Sequence, residues 1–176
     1  HVHVTGEQAM TLFGHPLTPA RPLSQPGQFL ARERVTLVGE KGEFRDVAVL
    51  GPERREGQVE ISLTDGRVLG IAPPVRLSGD VEGTPGIVLV GSNGRVELTQ
   101  GVIAAKRHIH LTSRAAAHFG VKNGENVKLK ALTRRPVIFE DVTVRVSEQF
   151  TPFAHLDYDE ANACGFCKGD LGRILK

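Results

Sequence analysis

Aromatic side chains make up only 5% of this 176-residue chain, and its 22 basic and 20 acidic residues are scattered without a block of five like charges. Bases would find no stacking platform and phosphates no basic stripe, so a nucleic-acid partner is excluded. No stretch approaches the roughly 18 apolar residues that a membrane helix needs. The residues around His1 and His3 also lack the basic start and apolar run of a signal peptide. No membrane partner and a cytoplasmic location are therefore expected. The sequence opens on His1 and not on Met, so a preceding segment, with any address it carries, is expected to lie outside it. Cysteine is equally scarce: Cys164 and Cys167 form a lone C-x-x-C, which rules out a disulfide framework. Without a second pair or a βαβ context, the two read as packing or solvent-side thiols rather than a redox pair or half a zinc site.

What the chain does have is punctuation. With 20 glycines and 10 prolines at short intervals, the β-branched runs between them are short, which favours many strands over long helices. Val35-Thr36-Leu37-Val38-Gly39-Glu40-Lys41-Gly42 and Ile87-Val88-Leu89-Val90-Gly91-Ser92-Asn93-Gly94 each read as a strand entering a tight turn and a return strand. Pro16, Pro19, Pro22 and Pro26 make residues 15–28 an irregular connector. The expected fold is mainly β with short helices, arranged as two small antiparallel β-barrel lobes sharing an active site. Residues 1–34 plus 105–176 would form one discontinuous lobe, and residues 35–104 the other.

A second echo carries chemistry. His1-Val2-His3-Val4-Thr5, followed by Ala9 and Phe13-Gly14, recurs as His108-Ile109-His110-Leu111-Thr112, followed by Ala116 and Phe119-Gly120. Both copies read as a strand, a threonine cap and a short helix ended by glycine. Thr5 and Gln8 have capping-box spacing, whereas Thr112 meets Ala115. Residues two apart on a strand share a face, so each H-x-H sets two imidazoles side by side for one metal, while Val2 and Ile109 turn to the core. Repetition of both the pair and its setting favours metal binding over ordinary surface histidines. His15 and His118 fall outside the pattern and read as surface residues. Zinc is the first choice for imidazole without cysteine, with manganese, iron and cobalt left open. Two open catalytic sites need about six ligands. His1, His3, His108, His110 and His155 leave one vacancy, for which Glu60 in Gln58-Val59-Glu60-Ile61-Ser62 is the natural candidate; pattern alone does not single it out among the acidic residues.

Over nearly its whole length the chain resembles the PduL-type phosphate acyltransferases, or phosphate propanoyltransferases. The matching segments include His1-Val2-His3, Leu23-Ser24-Gln25-Pro26-Gly27-Gln28-Phe29, Val49-Leu50-Gly51-Pro52, Gln58-Val59-Glu60-Ile61-Ser62, Pro73-Pro74-Val75-Arg76 with Ser78-Gly79-Asp80, and Gly83-Thr84-Pro85-Gly86. They continue through Lys106-Arg107-His108-Ile109-His110 and His155-Leu156-Asp157 to Asp159-Glu160-Ala161-Asn162-Ala163. The resemblance implies two β-barrel lobes around two zinc ions held by His1, His3, Glu60, His108, His110 and His155. It implies that Arg54 contacts phosphate with Ser78 close by, and that Arg21, Leu50, His155 and Asn162 line a coenzyme A site. Acyl-CoA and phosphate would be the substrates, propanoyl or acetyl the acyl group. The resemblance also admits a homo-oligomer and a place inside a bacterial microcompartment devoted to propanediol degradation, among shell or lumen enzymes. Ala48 stands where the family often has arginine, and Cys164-Gly165-Phe166-Cys167 departs from the usual tail.

The implied chemistry is direct transfer through a ternary complex, with Arg54 and the metals neutralising phosphate and Ser78 or backbone amides steadying an oxyanion. No Ser-His-Asp or Cys-His pattern stands out for a covalent intermediate. Two other classes compete: a dinuclear zinc hydrolase of thioesters or phosphoesters, and a zinc-stabilised binding module with closed four-ligand sites.

Overall fold

The computed structural model describes residues 1–175. By internal contacts the chain divides into two compact units, His1–Ala105 and the residues from Lys106 onward. The first unit contains β1 (Val2–His3), α1 (Gly6–Phe13), β2 (Pro19–Pro22), β3 (Phe29–Val38), β4 (Glu43–Gly51), β5 (Gln58–Glu60), α2 (Leu63–Leu69), β6 (Val75–Arg76), β7 (Ile87–Val90), β8 (Arg95–Leu98) and β9 (Val102–Ala105). The second contains β10 (His108–Leu111), α3 (Ser113–Phe119), β11 (Asn126–Leu132), β12 (Ile138–Val146), β13 (Phe153–His155), α4 (Tyr158–Cys164) and β14 (Leu171–Leu175). Strands dominate and the helices are short, as the glycine and proline spacing predicts. Among the described residues no helix is long and apolar enough to cross a membrane.

The first unit is built on a nine-stranded sheet in the order β6-β9-β5-β1-β4-β3-β7-β8, with β2 added to β3. Residues 1–34 supply β1, β2 and part of β3 to this sheet, so their backbone hydrogen bonds group them with the central segment in one unit, His1–Ala105. The proline-rich connector is more ordered than expected, since Pro19–Pro22 pairs with Phe29–Ala31. Proline is tolerated there because β2 lies at an edge. The second unit is a five-stranded sheet, β13-β10-β12-β11-β14. Neither sheet is purely antiparallel: β1 runs parallel to β4, β5 and β6 run parallel to β9, and β10 runs parallel to β12. In each unit a histidine strand lies between one parallel and one antiparallel neighbour.

Both foreseen hairpins are present, β3–β4 and β7–β8. Their turns lie under helix ends. A Cβ on Gly39 would run into the Leu69 carbonyl at the end of α2, and one on Gly91 into the Leu12 carbonyl of α1. Each unit has its own core. Val2, Val4, Leu12, Leu37, Val49, Val59, Leu69 and Leu89 pack in the first, and Ile109, Leu111, Val127, Val142, Val144 and Cys164 in the second. Cys164 is a buried packing residue and Cys167 is exposed; both are free thiols.

Candidate functional site

The strand–cap–helix unit occurs four times, twice as often as the H-x-H repeat suggests. Thr5, Ser62, Thr112 and Asp157 each cap a short helix from an extended conformation, and Gly14, Gly70, Gly120 and Gly165 end those helices in the left-handed region. Thr5, Ser62 and Asp157 form reciprocal capping boxes with Gln8, Asp65 and Glu160; Thr112 caps alone, as Ala115 requires. Two residues before each cap stands a potential metal ligand: His3, Glu60, His110 and His155. Between ligand and cap lies an aliphatic residue, Val4, Ile61, Leu111 or Leu156, that enters or packs against the unit's core and so turns the ligand to the opposite face. The signal was readable as ligand-aliphatic-cap, but the second member of each pair lacks a preceding histidine.

In the first unit β1 and β5 pair with His3 opposite Gln58, which sets His1 opposite Glu60. His1 and Glu60 exchange backbone hydrogen bonds of 3.0 Å. Their side chains meet as well, with His1 Nε2 lying 3.4 Å from Glu60 Oε2 and His3 Nε2 3.8 Å from Glu60 Oε1. In the second unit β10 and β13 repeat that register, His108 opposite His155 and His110 opposite Phe153. The rings of His108 and His155 stack at 4.7 Å, and His110 lies 4.4 Å from His155. In each trio the potential ligand atoms all lie within 4.8 Å of one another. Three donors about 2.1 Å from one ion in tetrahedral array are separated by about 3.4 Å, so both trios suit a zinc-sized cation with small adjustment.

The ring nitrogens are prepared for that task. His3 Nδ1 lies 3.2 Å from the Leu50 carbonyl, and His108 Nδ1 lies 2.8 Å from the Lys106 carbonyl. A carbonyl only accepts, so each Nδ1 carries the proton and the Nε2 lone pair is left for an ion. His110 is buried, and neither of its ring nitrogens has a hydrogen-bond partner among the described residues. That is a costly state without a ligand. Burial, then the charge of His1 and of Arg54, hold His3 down to about 3 against the pull of Glu60 and the Leu50 carbonyl. Burial, followed by His155, His108 and Arg145, holds His110 down to about 3. Burial alone would raise Glu60, but hydrogen bonds from His1 and Ser78 and the charges of His1 and His3 outweigh it and lower the carboxyl to about 2. Neutral imidazoles and an ionised carboxylate are the forms that bind metal.

Arg54 and Ser78 stand beside the first trio. The Arg54 N–H donates to the Val4 carbonyl at 2.8 Å, fixing the loop after β4, and Arg54 Nη1 donates to Ser78 Oγ at 3.0 Å. A hollow lined by Pro26, Gly27, Gln28, Gly51, Pro52 and Arg54 opens beside it. Arg21 is exposed on β2 opposite Leu30, which in turn faces Leu50 on β4, so Arg21 and Leu50 lie in one row across the sheet. In the second unit His155 precedes the α4 cap and Asn162 is exposed on that helix. His15 and His118 are exposed, as expected.

Sequence reasoning passed over three residues. Gln58 is buried, and its amide nitrogen donates to Glu60 Oε1 and Ser78 Oγ. The ring of Phe150 lies flat on His110, with centroids 3.9 Å apart and 9° between planes, and the Arg145 guanidinium lies 5.9 Å from the Phe150 ring centre. Only Gln58 left a signal, since it is the residue two before Glu60, where the two H-x-H pairs carry histidine.

Comparison with known proteins gives one answer. A family model described as phosphate propanoyltransferase matches residues 1–167. The phosphate propanoyltransferase of Enterococcus faecalis is 52% identical over 178 residues, covering 100% of this chain and 84% of that protein. Those of Clostridioides difficile, 50% identical over 178 residues, and Thermotoga maritima, 51% identical over 179, each span 100% of this chain and 85% of their own length.

Proposed function

The chain belongs to the phosphate propanoyltransferase family, and from that premise we propose that this acyltransferase moves a short acyl group, propanoyl or acetyl, between coenzyme A and phosphate with two bound divalent metal ions, zinc first among them. The observation that carries the reading is the tie from Arg54 through Ser78 to Glu60 beside His1 and His3, a fixed cation next to a ligand set of one carboxylate and two imidazoles. His1, His3 and Glu60 would hold one metal, and His108, His110 and His155 the other; each trio supplies three donors, one fewer than a closed structural zinc site takes, which favours a catalytic role. A metal bound there supplies Lewis-acid polarisation of a phosphate or thioester oxygen.

The remaining steps belong to the chain. Phosphate reaches the site as a hydrated dianion and a poor nucleophile towards a thioester. The planar Arg54 fork pairs with two of its oxygens and neutralises charge, and the hydrogen bond to Ser78 keeps that fork aimed before phosphate arrives. One phosphate oxygen then bonds to the acyl carbon, the C–S bond breaks, and coenzyme A leaves as a thiolate that takes up a proton. Arg21 and Leu50, in one row of the first unit's sheet, are proposed to contact coenzyme A, and so, in the second unit, are His155 before the α4 cap and Asn162 in the last turn of that helix.

The test is release of coenzyme A from propanoyl-CoA and acetyl-CoA with and without phosphate, before and after chelation. Phosphate-dependent release with acyl phosphate as product, lost on chelation and restored by zinc, is the expected result. Release that ignores phosphate would make the protein a hydrolase. Ping-pong kinetics would contradict direct transfer.

A further inference from the structure

We infer that Gln58 is a positioning residue that locks the Arg54 guanidinium and the Glu60 carboxylate into one rigid array through the Ser78 hydroxyl. The array is read from geometry; its effect on phosphate rests on the acyl-transfer reading above.

Gln58 is 2% exposed. Its Oε1 accepts from the Gly79 N–H at 2.8 Å. A backbone N–H can only donate, so the amide has one permitted orientation and the NH2 faces the other way. From there it donates to Glu60 Oε1 at 2.5 Å and to Ser78 Oγ at 2.9 Å. Ser78 Oγ also accepts from Arg54 Nη1 at 3.0 Å, and its hydroxyl proton serves Glu60. A hydroxyl has two acceptor positions and one proton, and all three are then in use. In this array Ser78 is a spacer that holds a cation and an anion at fixed separation.

The second unit sharpens the point. There the residue opposite the second histidine is Phe153, which has no amide and is 48% exposed. A glutamine serving only to join strands would have been as useful in that register. It stands instead two residues before a carboxylate on its own strand, on the same face, with two oxygens to orient. Partners of this kind around a metal ligand typically change affinity or activity about 10–100-fold when removed.

The decisive variant is Gln58→Met, which keeps length and burial and removes all three hydrogen bonds. Zinc is titrated against a chromophoric chelator, and the KM for inorganic phosphate is measured in the zinc-loaded protein. The expected result is a fall of about 10–100-fold in affinity at one of the two zinc sites, with the other unchanged as an internal control, and a rise in phosphate KM larger than any fall in kcat. Combined with Ser78→Ala, the two effects should be strongly non-additive, because both act through one array. If thermal melting shows that Gln58→Met does not fold, Ser78→Ala at a half-buried position carries the same two readouts alone. Wild-type zinc affinity at both sites together with wild-type phosphate KM would overturn the inference, as would additivity. Failure of the wild-type protein to make acyl phosphate would remove the proposed function but leave the zinc titration to judge the array.

Discussion

Gln58 and Phe153 occupy the same place in their two units, each facing the second histidine of an H-x-H pair across an antiparallel ladder, Gln58 opposite His3 and Phe153 opposite His110. One backbone template thus builds both trios, and side-chain identity makes them different. The first trio carries a carboxylate and has Arg54 at its edge; the second is all imidazole and is covered by Phe150. A dication bound by the second trio would keep its full charge, and one bound by the first would be half neutralised by Glu60. On the proposed reading the first trio is the one that would work with a fixed cation on an anionic substrate.

Arg54→Lys keeps the charge and loses the fork. The loop is fixed through the backbone N–H of Arg54, which the substitution retains, so the fold should hold. Losing one charge-assisted hydrogen bond costs about 1.5–3 kcal/mol, so the phosphate KM should rise roughly 10–100-fold with little change in the KM for acyl-CoA. Initial rates at varied phosphate check this, and an unchanged phosphate KM would remove Arg54 from the site.

Glu60→Gln preserves shape and removes the anionic ligand. The loss of affinity at that zinc site should exceed the roughly 10–100-fold that an outer partner costs, so the zinc content after gel filtration should drop from two per chain towards one. Elemental analysis reads it directly. Two full equivalents retained by the variant would rule out Glu60 as a ligand.

Much of this arrangement is legible in the sequence alone, and what is not is hidden for physical reasons. The H-x-H pairs announce themselves because alternation on a strand is local, and so do the caps Thr5 and Thr112. The pairing of His1 with Glu60 and of His108 with His155 depends on strand register, which local pattern leaves open. Parallel neighbours were missed for the same reason: β1 meets β4 and β10 meets β12 only through long connections. Residues 1–34 read as part of the C-terminal segment because their motif matches it, yet their hydrogen bonds go to β4 and β5. Similarity of sequence identified a repeated template, not a shared sheet.

Gly91→Ala and Gly39→Ala test the fit of hairpin turns under helix ends. Each added Cβ meets a backbone carbonyl, Leu12 in one case and Leu69 in the other, which cannot rotate aside. Each variant should lose about 1–3 kcal/mol, the usual cost of overpacking, visible as a lower melting temperature. Gly27, whose Cβ would meet nothing within 4 Å but whose φ is +78°, is the contrast: alanine there suffers backbone strain alone and should cost less.

Acid should dismantle the metal-free protein through groups that all pull the same way. His3 and His110 titrate at about 3 in the folded state against 6.5 for an ordinary imidazole, so between those values the unfolded chain binds more protons. Stability is therefore full above about pH 6.5 and lost as pH falls below it, by roughly 2 kcal/mol for His3 at pH 5 from a shift of about 1.36 kcal/mol per pH unit, with His110 adding a loss of the same sign. Glu60, lowered to about 2 from 4.5, adds a further loss between those two values, since its contribution exists only while the carboxylate is ionised. Zinc bound to neutral Nε2 atoms should shift the acid transition to lower pH. Because His3 and His110 are already deprotonated at pH 7.5, they should release almost no protons when zinc binds there. Calorimetry in buffers of different ionisation enthalpy would reveal such release, and urea melts at pH 7.5, 6 and 5 with and without zinc measure the stability loss. A metal-free protein equally stable at pH 5 and 7.5 would mean that these imidazoles are neither buried nor mutually repelling as the fold has them.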